Sequence, residues 1–167
     1  MSEAAGIISW LALLAFIASA LAAAFTDAVR FLIPNRYPAA IALSFAVYAV
    51  AKPAPFWALG LIVAAVVLVA GSVLFARGIV GGGDVKLFAA TALWAGVDQF
   101  ALLALTTALV GGVLALVRLL PLGGLVPARL AAPAAASGFA AKLHQPIPFG
   151  VAIACGGVSI ALSRLAT

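Results

Sequence analysis

Gly81-Gly82-Gly83-Asp84 runs directly into Val85-Lys86-Leu87, so a glycine-rich turn hands a carboxylate to the start of an apolar run. Acids are scarce in this chain, which has only Glu3, Asp27, Asp84 and Asp98. A charged side chain at membrane depth costs roughly 2.5 to 3.5 kcal/mol on insertion scales, and is kept where a partner or a reaction offsets that cost. Two carboxylates around one water suffice to hydrolyse a peptide bond. At close range they share a proton; the ionised one takes a proton from the attacking water while the protonated one polarises the scissile carbonyl. That chemistry calls for no metal and no cofactor. The glycines ahead of Asp84 tolerate unusual dihedral angles and leave room for an extended backbone, so Gly81 and Gly83 are expected to border a substrate.

The elements that must position these residues are membrane helices. Hydrophobic residues make up 67% of the chain and charged ones 8%, which excludes a soluble domain. The apolar runs are of helix length, unlike the alternating strands of a barrel. The fold class is therefore all-α, a polytopic bundle of about six transmembrane helices forming one domain over residues 1–167. The net charge of +5 does not point to nucleic acid, because the basic residues fall between apolar runs and form no patch. The first run lacks a basic stretch ahead of it and a clear cleavage site, and is expected to be a retained helix. A single cysteine, Cys155, excludes an intramolecular disulfide and a multi-cysteine zinc site.

In chain order, residues 7–25 are long enough to cross a hydrocarbon core about 30 Å thick. Residues 26–37 form a polar connection broken by Ile33-Pro34-Asn35, since the residue before a proline avoids the helical region. Residues 38–51 are apolar but short, and end at Lys52-Pro53-Ala54-Pro55. Residues 56–76 make a full span, and 84–97 another short one with Trp94 near an interface, where amphipathic rings settle. Asp98-Gln99 is expected to turn the chain, with Asp98 capping a helix over 100–117. Residues 119–146 form an irregular or interfacial connection rich in proline and glycine, and 147–162 the last helix. Each short helix reaches about 21 Å, so water is expected to reach both Asp27 and Asp84.

Loop charge sets the orientation. Arg30, Arg36, Arg77, Lys86, Arg118, Arg129 and Lys142 fall on one face and Lys52 and Arg164 on the other, which places the first face in the cytoplasm and both termini outside. Asp27 and Asp84 then share the cytoplasmic border, and Asp98 lies opposite.

Gly81-x-Gly83-Asp84-x-Lys86-Leu87, with Asp27 six residues ahead of Ile33-Pro34-Asn35, resembles the type IV prepilin peptidase family, the GxGD membrane aspartyl proteases. The likeness extends over nearly the whole chain, and Pro148-Phe149-Gly150 resembles the motif of the family's last helix. It implies that Asp27 and Asp84 are the catalytic pair, with Gly81, Gly83 and Lys86 as supporting or substrate-binding residues. It further implies a leader peptidase of the bacterial inner membrane that acts on prepilin or pseudopilin precursors at the cytoplasmic face. The cysteine-rich loop of the longer bifunctional members is missing, so the chain is closer to short, peptidase-only members such as those of tight-adherence (Flp) pilus systems.

Plainer roles stand beside these. Asp84 can cap its helix, Asp27 can pair with Arg30, and Lys86 can reach up to lipid headgroups. His144 reads as a loop residue, and Cys155, Gly111, Gly112, Gly156 and Gly157 as sites of close helix packing. The rival functions are a small ion or proton-coupled transporter and a non-catalytic scaffold of a secretion system. A transporter places its acids near the midplane of repeated units, whereas these acids lie at one border of a chain without a repeat.

The orientation is tested in a Cys155→Ser background with a membrane-impermeant thiol reagent. Cysteine at Lys52 is expected to label from outside, and cysteine at Gly82 or Lys142 only after permeabilisation; the reverse pattern inverts the topology.

Overall fold

The computed structural model describes residues 3–52, 57–119 and 147–165. The predicted roles of His144, Arg129, Lys142 and most of the connection over 119–146 fall outside them. Every regular element among the described residues is helical: α1 (Glu3–Arg30), α2 (Arg36–Ala51), α3 (Trp57–Ala76), α4 (Gly82–Leu119) and α5 (Phe149–Leu165). Three of these, α1, α3 and α4 up to Val117, are long and apolar enough to cross a membrane.

α4 is not one rod. Its 38 residues would stretch about 57 Å if straight, nearly twice a hydrocarbon core of about 30 Å. At Gly96 the backbone leaves the helix, with φ 59° and ψ −162°, a combination that essentially only glycine adopts. The rings of Phe88 and Phe100 lie 6.2 Å apart, whereas a straight helix would separate these residues by about 18 Å along its axis. The chain therefore doubles back at Gly96, and the two arms of α4 lie side by side. The expected turn at Asp98-Gln99 thus moves to Gly96, because the reversal uses a conformation closed to residues with a Cβ. Asp98 sits exposed in the second arm, and Gln99 Nε2 donates to Ser163 Oγ at 2.7 Å.

The reversal strands a carbonyl that a continuous helix would bond. Arg164 takes it: Nη2 and Nε donate to the Trp94 oxygen at 2.6 and 3.2 Å, and a cation at a helix C-terminus also meets the negative end of its dipole. Trp94 itself corrects the interfacial expectation. It is fully buried, stacked on Phe16 at 4.7 Å and flanked by Phe45 and Tyr48. Its indole N–H donates to the Ile41 carbonyl at 3.1 Å, so the ring has no need of headgroups or water. α1 packs on α2 and α5, and α4 packs on α2, α3 and α5. α3 lies at the periphery against α4, with Gly60 its one buried residue.

The helix-packing expectation holds at Gly111, Gly156 and Gly157, where an added Cβ would press on Phe149, on Leu103 and Thr107, and on Phe16 and Thr91. It fails at Gly112, which faces open space, and at Cys155, which is exposed.

Gly96→Ala is expected to destabilise the protein by about 1 to 3 kcal/mol. Gly112→Ala, at an open helical position, is expected to be neutral or to stabilise by about 0.5 to 1 kcal/mol. Thermal unfolding of the two variants in the same detergent reads the contrast.

Candidate active site

Three helix ends meet at the pole of the bundle remote from Gly96. α1 runs further than the apolar pattern indicates, to Arg30, so Asp27 lies in its last turn and not in a loop. The helix continues because the polar residues there find partners. Thr26 Oγ1 donates to the Ala23 carbonyl, and the Asp27 carbonyl accepts from the Phe31 amide at 2.9 Å. It stops at Phe31, whose φ of 51° is left-handed.

Asp27 is only 5% exposed, and its partner comes from the far end of the sequence. The Gly150 amide donates to Asp27 Oδ2 at 2.7 Å. Gly150 opens α5, where the first amides lack intrahelical acceptors and the dipole is positive, so Asp27 caps α5 from another helix. The partner that holds it is this amide of α5 and not the expected Arg30. The contact requires glycine: a Cβ on residue 150 would stand 2.9 Å from Asp27 Oδ2 and 2.9 Å from Ile33 Cδ1.

Asp84 stands in the first turn of α4, half-buried. Gly82 and Gly83 are helical, and the Val85 amide bonds the Gly81 carbonyl at 3.1 Å, so the triple glycine starts the helix. Among described residues, the left-handed glycines are Gly78 and Gly96. The expected reason for these glycines therefore changes: what each admits is a neighbour from the protein. A Cβ on Gly83 would meet Ile33 Cβ at 3.1 Å, one on Gly82 the Phe75 ring at 3.2 Å, and one on Gly81 the Asp84 carboxylate at 2.8 Å.

Ile33 is thus a wedge between the start of α4 and the start of α5, and Pro34 behind it fixes an extended approach. Asn35 Oδ1 accepts from Lys86 Nζ at 3.0 Å. That bond joins the Ile33-Pro34-Asn35 segment to the segment carrying Asp84, and gives Lys86 a partner at the exposed rim. The two carboxylates, far apart in sequence, are thereby drawn to the same side chain, since Ile33 lies against residue 83 beside Asp84 and against residue 150, which bonds Asp27. Among the described residues no group of three His, Cys, Asp or Glu side chains gathers to hold a metal ion.

The structure therefore brings Asp27, Asp84, Gly81 and Gly83 together with Lys86 at the margin, and leaves Asp98 exposed on the second arm of α4. The sequence reading missed the Gly150 amide, the Ile33 wedge and the Asn35 partner. For the Gly150 amide a signal was present in Pro148-Phe149-Gly150, a proline and a glycine at the entrance to an apolar helix; the contacts of Ile33 and Asn35 carry no such local signal.

No curated protein and no solved structure matches the chain. A family model does, over residues 14–116, a stretch shorter than the near-complete likeness drawn from motifs and ending before Pro148-Phe149-Gly150. It takes in Asp27, Ile33-Pro34-Asn35 and the glycines before Asp84, the segments that meet in this site, and on that match the chain belongs to the type IV leader peptidase family.

Proposed function

We propose that this chain is an aspartyl endopeptidase that removes the leader from prepilin-like precursors, with Asp27 and Asp84 as its catalytic pair. The observation that carries the reading is the convergence on Ile33, at one pole of an apolar bundle, of the segments that bear those two carboxylates: Ile33 lies against residue 83, next to Asp84, and against residue 150, whose amide bonds Asp27. With Oδ2 of Asp27 occupied by the Gly150 amide, its second oxygen is left for water. The ionised member of the pair accepts a proton from that water as its oxygen bonds to the scissile carbonyl carbon. The protonated member donates to the carbonyl oxygen. Collapse of the tetrahedral species breaks the carbon–nitrogen bond, and the leaving amine takes up a proton from the pair.

In this reading the bundle crosses the inner membrane six times, with the arms of α4 as separate crossings and both termini outside. Two observations support that arrangement. Lys52 and Arg164, the charges assigned to the outer face, both lie over the Tyr48 ring, and Lys86 lies at the opposite pole beside Asn35. A site at the cytoplasmic pole suits a precursor whose apolar helix is inserted while its leader stays inside. Gly81, Gly83 and Lys86 act by setting the site's shape, and the whole of residues 1–167 serves one peptidase domain.

Co-expression with a candidate precursor, read by gel shift and N-terminal sequencing, tests the activity. Asp27→Asn and Asp84→Asn are each expected to lower cleavage at least about a hundredfold with the protein still inserted. The double variant should be no worse than either, because residues acting as a unit lose most of their effect at the first substitution. A metal chelator is expected to leave the rate intact. Near-normal cleavage by either single variant sinks the aspartyl mechanism.

Gly150→Ala places a methyl group against the Asp27 carboxylate and should cost about a hundredfold, the scale of an ångström's misplacement. Normal turnover by that variant removes the α5 contact from the mechanism.

A further inference from the structure

Asn35 stands at the N-cap of α2, yet its side chain makes no capping bond. An asparagine there ordinarily accepts from the amide two or three residues on. Residue 38 is a proline without an N–H, and the Tyr37 amide already donates to the Pro34 carbonyl at 3.1 Å. The local chain thus leaves the Asn35 side-chain oxygen unclaimed, and the fold brings Lys86 Nζ to it at 3.0 Å. The segment that ends in this residue is stiff. Phe31 is left-handed, with φ 51°, and Pro34 fixes its own φ and keeps Ile33 extended. Ile33 is buried.

α4 receives this segment on one face. Gly83 and Lys86 are three residues apart and lie together on the helix surface; the first admits Ile33 and the second bonds Asn35. Asp84 and Lys86 are two apart, a rotation of about 200°, and project from nearly opposite sides. Asp84 lines an apolar cavity of about 340 Å³ between α3, both arms of α4 and the start of α5, together with Phe88 and Ala104. Lys86 instead meets the segment between α1 and α2. From that segment Ile33 reaches both helix starts: a Cβ on residue 83 would stand 3.1 Å from its Cβ, and one on residue 150 would stand 2.9 Å from its Cδ1. Residue 83 precedes Asp84, and the amide of residue 150 bonds Asp27. One side chain therefore stands between the helix start that carries Asp84 and the helix start that holds Asp27.

We propose that Ile33 is the spacer that sets how far apart Asp27 and Asp84 are held, and that Lys86 and Asn35 form the clasp that seats it. All three are positioning residues, acting through the carboxylates and not on the substrate. The inference rests on the peptidase reading and goes beyond it, giving Lys86 a task that needs its hydrogen bond to Asn35 and no contact with substrate or headgroups. Bulk at residue 33 governs the site because neighbours settle partway into the space left by a trimmed side chain. A shift of about 1 Å in a catalytic group costs about a hundredfold in rate. The clasp itself lies at the exposed rim, so breaking it leaves the core intact.

The test uses the full chain in vesicles with a cleavable precursor. Ile33→Val removes the carbon that stands at residue 150 and is expected to lower kcat at least about tenfold while KM changes less than about threefold. Ile41→Val, at a fully buried position of the core, is the control: it should lower the thermal midpoint at least as much and leave kcat within about twofold. Lys86→Met and Asn35→Ala should each lower kcat at least about fivefold, and the double variant no further than either, because the two residues act as a unit. Lys86→Arg, which keeps a donor, should restore most of the rate. Asn35→Cys with Lys86→Cys, in a Cys155→Ser background, should accept a short bis-thiol cross-linker, and the cross-link should recover the rate that the unlinked protein lacks. With the wild type active, four outcomes each overturn the proposal: wild-type kcat in Ile33→Val, an equal kcat loss in Ile41→Val, a rise in KM in place of the fall in kcat, or additive defects at residues 35 and 86. Additive defects are what a lysine anchored to headgroups would give. If Ile33→Val fails to insert, the clasp variants decide. Absence of the cross-link, read on a gel without any cleavage, removes the clasp, and failure of the wild type to cut its precursor sinks the peptidase reading and the positioning role with it.

Discussion

The bond from the Gly150 amide to Asp27 Oδ2 is the constraint on which this end of the molecule turns. An acid buried at the C-terminus of its own helix faces the negative end of that helix's dipole, an unfavourable place for a carboxylate. The start of α5 reverses the sign, offering an amide that no intrahelical carbonyl claims. Each group answers the other's need, and the residues around them follow. Residue 150 must lack a Cβ for the contact to close, residue 83 must lack one for Ile33 to enter, and Lys86 ties the segment bearing Ile33 back to α4 through Asn35.

The opposite pole solves a related problem with other residues. A reversal at Gly96 leaves the Trp94 carbonyl without its helical donor, and in a bundle this apolar few groups can supply one. Arg164 does, and it also lies over Tyr48, beside the ring cluster that surrounds Trp94. The break in α4 and the end of α5 are thus fixed to each other, just as the beginnings of the same two helices are drawn together through Ile33. α4 and α5 are held at both poles, while α3 meets the bundle along α4 through the flat faces of Gly60 and Gly71, against Leu93 and Val85. The cavity beside Asp84 lies where the firmly held pair of helices meets this peripheral one.

Much of this was legible from residue types. The scarcity of acids singled out Asp27 and Asp84, and the apolar runs marked the helices over residues 7–25, 38–51 and 56–76 to within a few positions. What escaped had physical reasons. α1 extends past its apolar run because Thr26 and Asp27 satisfy their polar groups, one locally and one through α5, and no local pattern reveals a partner more than a hundred residues away. Trp94 looked interfacial because an indole N–H wants an acceptor, yet the Ile41 carbonyl supplies one inside the bundle. The reversal fell at Gly96 because backbone freedom, and not polarity, decides where a helix can fold back, so polar Asp98-Gln99 was the weaker signal. Lys86 was expected either beside the aspartates or at the headgroups and Asn35 only as part of Ile33-Pro34-Asn35, and their pairing with each other is a property of the fold alone.

Hydrolysis inside a membrane protein must reconcile a reaction that consumes water with a substrate anchored in hydrocarbon. Short helices offer one answer, because their ends do not reach the full thickness of the bilayer. α2 spans only 16 residues and the first arm of α4 is broken at Gly96, so in the proposed six-crossing arrangement the ends of these helices fall near the level where water penetrates. Asp84 stands at such an end, the start of α4, and Asp27 in the last turn of the longer α1, at the same pole. The apolar cavity begins at the same level and runs the other way, into the bundle. A polar rim carrying Lys86 and Asn35 and an apolar recess carrying Phe88 and Ala104 therefore meet at Asp84, and a chain that passes from a charged leader into a membrane helix changes character over the same short distance.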